Sequence, residues 1–238
     1  PETQYGNFNL SLIKINFANK AQKKSDSGYG FFRPFYLEIF NNNLIIINNT
    51  AEILTSNLKD LDDLKSEKLK TKIISSNLNV LKVMGTLIYN DQIFISYLIK
   101  KNNCQQFNIA SAKINFESMK FQKFFTSDAC GVNLNSGRME VYNHNGQIGL
   151  LATLGGEELN KPSNLPQDQN SDIGKILFIN FESKEKIIFS SGHRNPQGLF
   201  VKNNIVISTE HGPKGGDEIN NIKFEKNYGW PLASYGQQ

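Results

Sequence analysis

Apolar and polar residues alternate in short runs along most of this chain, and the runs come in pairs. Residues 37–47 turn at Asn41-Asn42-Asn43, residues 87–97 at Asn90-Asp91, residues 138–153 within 143–146, and residues 199–208 at Asn203-Asn204. A period of two predicts strands with one buried face, and Asn tolerates the positive φ that a tight hairpin demands. Further apolar runs at 8–15, 71–74, 107–114, 121–125, 176–181 and 186–189 read as additional strands. The hairpins recur at roughly fifty to sixty residues with four strands per repeat, the pattern of an all-β β-propeller. Two segments depart from it. Residues 54–69 carry Leu54, Leu58, Leu61 and Leu64 among Lys and Asp, read as either a turn or two of amphipathic helix or a charged surface insertion. Residues 157–172, with Pro162 and Pro166, read as a long loop of the kind on which propellers place sites.

Composition narrows the picture. With 238 residues, 39% of them hydrophobic, the chain can bury a sizeable core. A net charge of +4 spread over scattered lysines describes a solvated surface, not a nucleic-acid footprint. No apolar run approaches the roughly 20 residues that span a bilayer. The chain starts at Pro1 with no initiator Met and no signal peptide, the expectation for a processed form or a fragment. Cys104 and Cys130 read as one disulfide or as two buried thiols, the former pointing to an exported protein. Only three arginines occur, Arg33, Arg138 and Arg194, against abundant lysine. An arginine retained under that bias marks a place that needs a planar fork of donors. Arg194, His193, His211 and the single Trp230 all fall in glycine- and proline-rich segments.

The densest chemistry lies in residues 191–236. In Gly192-His193-Arg194-Asn195-Pro196-Gln197-Gly198, a guanidinium and an amide stand just ahead of a strand, set to meet a planar anionic or carbonyl-rich ligand. In Glu210-His211-Gly212-Pro213-Lys214-Gly215-Gly216-Asp217-Glu218, glycines free backbone carbonyls toward a cation, and Asp217 and Glu218 add the hard oxygens that suit Ca²⁺. The plainer alternative is two turns, with Arg194 capping carbonyls and Asp217 capping an amide.

These two motifs, with Asn227-Tyr228-Gly229-Trp230-Pro231 after them and Ser171-Asp172-Ile173-Gly174-Lys175 before, resemble the soluble quinoprotein glucose/sorbosone dehydrogenase family, over about residues 70–236. The resemblance implies a six-bladed propeller holding pyrroloquinoline quinone (PQQ) and Ca²⁺ and oxidising sugars at the anomeric carbon. It places the protein in the periplasm or outside the cell, with an electron acceptor that it does not identify. Residues 1–238 are then a single incomplete propeller domain of about four blades, the C-terminal blades missing. Arg194 and Asn195 match positions that contact the quinone, Arg194 in a catalytic, charge-stabilising role. Gly212 and Pro213 match carbonyl ligands of the cofactor's Ca²⁺, and Asp217 a ligand of a separate structural Ca²⁺. Tyr228 to Pro231 read as a packing motif that closes a blade.

Two departures bear on activity. Leu134 stands where the family's catalytic His opens its motif, and Gly156 where its acidic partner is expected, with Glu157 or Glu158 as the nearest substitutes. His144 falls at the far turn of the hairpin. Leucine accepts no proton, and loss of a general base typically costs about 10² to 10⁴ in rate. The resemblance therefore allows an aldose dehydrogenase-like enzyme or a degenerate propeller that only binds a ligand or acts as a scaffold.

Overall fold

A computed structural model of the chain describes residues 2–3, 6–7, 35–62, 69–157 and 164–236. Strands β1 (Glu2–Thr3) and β2 (Gly6–Asn7) form a short ladder. The first blade follows with β3 (Phe35–Phe40), β4 (Asn43–Asn48), β5 (Ile53–Asn57), one helical turn α1 (Lys59–Asp62), and β6 (Lys72–Ser76). The second contains β7 (Lys82–Tyr89), β8 (Gln92–Lys101) and β9 (Cys104–Lys113); β10 (Ser118–Met119) then pairs back onto β6. Strand β11 (Gln122–His144) is 23 residues long and serves two blades. Its first part pairs with β9 and its second with β12 (Gln147–Glu157), so it is the outer strand of blade two and the inner strand of blade three. Blade three continues through β13 (Lys175–Asn180) and β14 (Lys186–Ser191), with β18 (Lys226–Asn227) parallel to β14. Blade four is β15 (Pro196–Lys202), β16 (Ile205–Glu210) and β17 (Glu218–Ile222).

The four Asn-rich hairpins each join the first and second strands of a blade. Asn41, Asn42, Asn90, Asn145, Asn203 and Asn204 all take positive φ, between 47° and 62°. The first strands β3, β7, β11 and β15 contact one another in series, as inner strands around an axis do. Apolar side chains gather in layers where one sheet faces the next. Tyr36, Ile45, Ile93 and Ile95 fill the layer between blades one and two; Phe94, Phe107, Leu150 and Leu177 that between two and three; Leu151, Phe178, Phe189 and Val206 that between three and four. The inner strands approach closely at Gly137, where a Cβ would lie 2.4 Å from Met84 Cβ, and the Ser96 hydroxyl donates to the Gly137 carbonyl at 2.6 Å.

Within 54–69, Leu54 lies in β5, buried with Ile46 and Leu69, and among the described residues of this segment 59–62 turn helically, with Leu61 packed against the same cluster. Leu64, the strand expected at 8–15 and Arg33 lie outside the described residues.

Candidate functional site

Register places the motif segments together. The Asn hairpins occupy one end of the blades; residues 132–136, 154–157, 191–196 and 210–218 occupy the other. There the loop from β14 to β15 carries Arg194 and Asn195, and the loop from β16 to β17 carries residues 211–217.

Arg194 is the hub. Its Nη1 donates to the carbonyls of His211 at 3.0 Å and Gly212 at 3.3 Å. Its guanidinium lies 5.3 Å from the Trp230 ring centroid, a cation–π distance. Its Nε is buried without a hydrogen-bond partner among the described residues, a donor that normally finds one. Asn195 Oδ1 accepts from Gln197 Nε2 at 2.7 Å and from the Ser136 hydroxyl at 3.3 Å, and its carbonyl accepts from His211 N–H at 3.1 Å. The amide is thus oriented from the β11 side as well as from its own loop.

His193 received no role from sequence, yet it is fully buried and bonded at both ring nitrogens. Nδ1 lies 2.6 Å from Glu210 Oε1 and Nε2 2.7 Å from Ser190 Oγ, while the ring stacks on Tyr228 at 4.9 Å. Glu210 Oε2 also accepts from Arg194 N–H at 3.2 Å. The available signal was the rarity of histidine; its partner lies 17 residues away and is brought close only by the β15–β16 hairpin. Tyr228 and Trp230, expected to be packing residues, pack against His193 and Arg194 themselves.

The carbonyl pair is already in use. Gly212 O meets Arg194, and Pro213 O accepts from Gly216 N–H at 2.7 Å. Asp217 Oδ1 accepts from Gly212 N–H at 3.0 Å and Oδ2 lies 3.5 Å from His211 Nδ1, so this carboxylate caps its own loop. Among the described residues no cluster of three His, Cys, Asp or Glu side chains forms a metal site. Two carbonyls supply only a fraction of the roughly six to eight oxygens that Ca²⁺ takes, so a cation fits here only with oxygens brought by a ligand. The unpaired Arg194 Nε fits an anionic or carbonyl-rich ligand directly.

Where β11 meets β12 at this end, Leu134 and Gly156 pack apolar. Leu134, at 4% exposure, belongs to the blade two–three core. Gly156 has φ +149°, and a Cβ there would stand 2.7 Å from Leu134 Cδ2; one on Gly131 would stand equally close. The leucine thus fills the space left by two bare backbones. The side chain of Glu157 and all of Glu158 lie outside the described residues. His144 sits in an aromatic cluster at the hairpin end, 4.5 Å from Phe224.

Arg138 tightens the inner strands: Nε donates to the Gln197 carbonyl at 2.8 Å, and the guanidinium lies 5.6 Å from the Tyr36 ring centroid. Burial pushes the Glu140 carboxyl up, helped by the charge of Glu38; burial also raises Glu38, against a hydrogen bond from Thr86. Lys175 is buried beneath the 164–173 loop, donating to the carbonyls of Leu165, Pro166 and Ile173, and desolvation lowers it to about 8 despite Asp168 and Asp172. Cys104 and Cys130 form a disulfide with a Cα–Cα distance of 5.5 Å, which decides the alternative left open by sequence.

Fold and site together define a β-propeller whose motif loops converge on one arginine at one end of the blades. Residues 78–238 match the model of the Glucose / Sorbosone dehydrogenase family, and the chain belongs to that family. It is 49% identical over 61 residues to aldose sugar dehydrogenase YliI of Escherichia coli, covering 25% of this chain and 16% of that protein. It is 39% identical over 82 residues to quinoprotein glucose dehydrogenase B of Acinetobacter calcoaceticus, covering 29% and 17%. The PQQ-bound aldose sugar dehydrogenase of Streptomyces coelicolor shares the fold, with a TM-score of 0.62 at 22% identity over 86% of this chain and 64% of that one. The matched stretches thus span about a sixth of the curated relatives. No helix among the described residues is long and apolar enough to cross a membrane.

Proposed function

We propose that this chain is the cofactor-holding part of a PQQ-dependent sugar dehydrogenase, oxidising an aldose at its anomeric carbon and passing electrons to an acceptor yet to be identified. The observation that carries this reading is the buried, unpartnered Nε of Arg194, beside two loop carbonyls and over Trp230. PQQ, when bound, supplies the hydride acceptor. Arg194 offers a donor and a full positive charge to oxyanions of the ligand, held ready without reorganisation. Asn195, oriented by Ser136 and Gln197, adds an amide donor. The Gly212 and Pro213 carbonyls are the protein's contribution to a Ca²⁺ completed by ligand oxygens. Asp217 holds the carbonyl loop in shape. The four blades belong to one propeller domain whose remaining blades complete the ring, and the disulfide fits an exported or periplasmic protein.

A second reading is favoured by the packing of Leu134 on Gly156: a propeller that binds the cofactor and does not turn over sugar. Full-length protein with PQQ and Ca²⁺, assayed by the PQQ absorbance and by dye reduction with a panel of aldoses, separates the two. Reduction establishes the dehydrogenase; a spectral change without reduction establishes binding alone; neither removes both.

A further inference from the structure

We propose that Ser190, His193 and Glu210 form a positioning bracket that aims Arg194, so that ligand affinity depends on how these residues hold the arginine. The inference rests on the binding reading above. Glu210 is the keystone: Oε1 accepts from His193 Nδ1 at 2.6 Å and from Asn220 Nδ2 at 3.2 Å, and Oε2 accepts from the main-chain N–H of Arg194 at 3.2 Å. With Nδ1 on Glu210 and Nε2 on the Ser190 hydroxyl, both ring nitrogens are satisfied. Ser190, His193 and Glu210 are 1%, 0% and 7% exposed, so water does not compete for these bonds and each is strengthened by its low-dielectric setting.

The geometry explains how such a bracket acts at a distance. One carboxylate fixes the main chain from which the Arg194 side chain departs. The same residue immediately precedes His211 and Gly212, whose carbonyls receive the guanidinium. Both ends of the arginine's span are therefore set from Glu210, and Nε stays unpaired in place of swinging to a protein acceptor. Tyr228 closes the imidazole's face. The cavity of about 10 Å³ beside Arg194 is lined by Glu210 and not by Ser190, so the Ser–His–Glu order serves no nucleophile.

The test reads the arginine side chains directly. In arginine-¹⁵N-labelled full-length protein, Arg138→Lys and Arg194→Lys each remove one Hε–Nε signal and so assign it. His193→Gln and Glu210→Gln should shift the Arg194 signal and speed its hydrogen exchange while that of Arg138 stays put. PQQ titration with Ca²⁺ should weaken by about tenfold, the low end of what residues that orient a binding group contribute. In an Arg194→Lys background, Glu210→Gln should add little further loss. Ser190→Ala, at the far end, should give the same changes in milder form and serves if either larger variant fails to fold. Folded variants with an unchanged Arg194 signal overturn the proposal, as does full additivity with Arg194→Lys. If wild-type protein binds no PQQ, the binding reading fails, and the Nε signal alone still decides the bracket.

Discussion

Two regions at the motif end of the blades are built on opposite principles. On the blade-four side, Arg194, Asn195, His193 and Glu210 are tied by hydrogen bonds that leave one buried donor over. On the blade-three side, Leu134 is pressed onto the backbones of Gly156 and Gly131 with no polar group between. The first region offers polar groups to a ligand, and Leu134 and Gly156 in the second offer no side chain that could take a proton.

The contrast is most strongly tested by Gly156→Asp. Its Cβ would strike Leu134 at a φ that disfavours any side chain, and we expect a loss of about 3 kcal/mol or more in denaturant unfolding. Pairing it with Leu134→Ala should recover part of that loss, since the obstruction is mutual. Equal losses with and without the leucine would contradict the packing described. Next in size, Cys104→Ser should cost about 2–4 kcal/mol, read as a lower midpoint, by freeing the β9–β11 junction close behind Leu134. In the polar region, Arg194→Lys should weaken PQQ binding about tenfold, the worth of one charged hydrogen bond, with the unfolding midpoint nearly unchanged.

The smallest effect probes the inner strand β11, which carries Glu140. Glu140 is raised in the folded state, so folding favours its proton: its contribution is best below the ordinary carboxylate range and declines as pH rises through the raised value. Glu140→Gln should therefore stabilise the protein at neutral pH, by under about 1 kcal/mol given its partial exposure, and lose that advantage in acid. A midpoint difference that does not depend on pH would contradict the carboxylate pairing with Glu38.

Much of the fold was legible because its signals are local. Alternation marks strands, and Asn41, Asn90, Asn145 and Asn203 mark turns by a conformational tolerance written in one residue. The leucines from 54 to 64 left a helix and a surface insertion open, because a helical spacing of leucines also fits a strand followed by a turn. The site was half legible. Arg194 and Asn195 stood out by residue type. The roles of His193, Glu210 and Ser190 depend on contacts made across a hairpin, and the mutual fit of Leu134 and Gly156 on contacts across a pair of strands, which no linear pattern states.

Titration of PQQ with Ca²⁺ into wild-type and Arg194→Ala protein, followed by absorbance, tests the central point most directly. A saturable spectral change that disappears in Arg194→Ala is expected. No change with the wild type, or the same change in both proteins, would contradict the assignment of Arg194 as the ligand-holding residue.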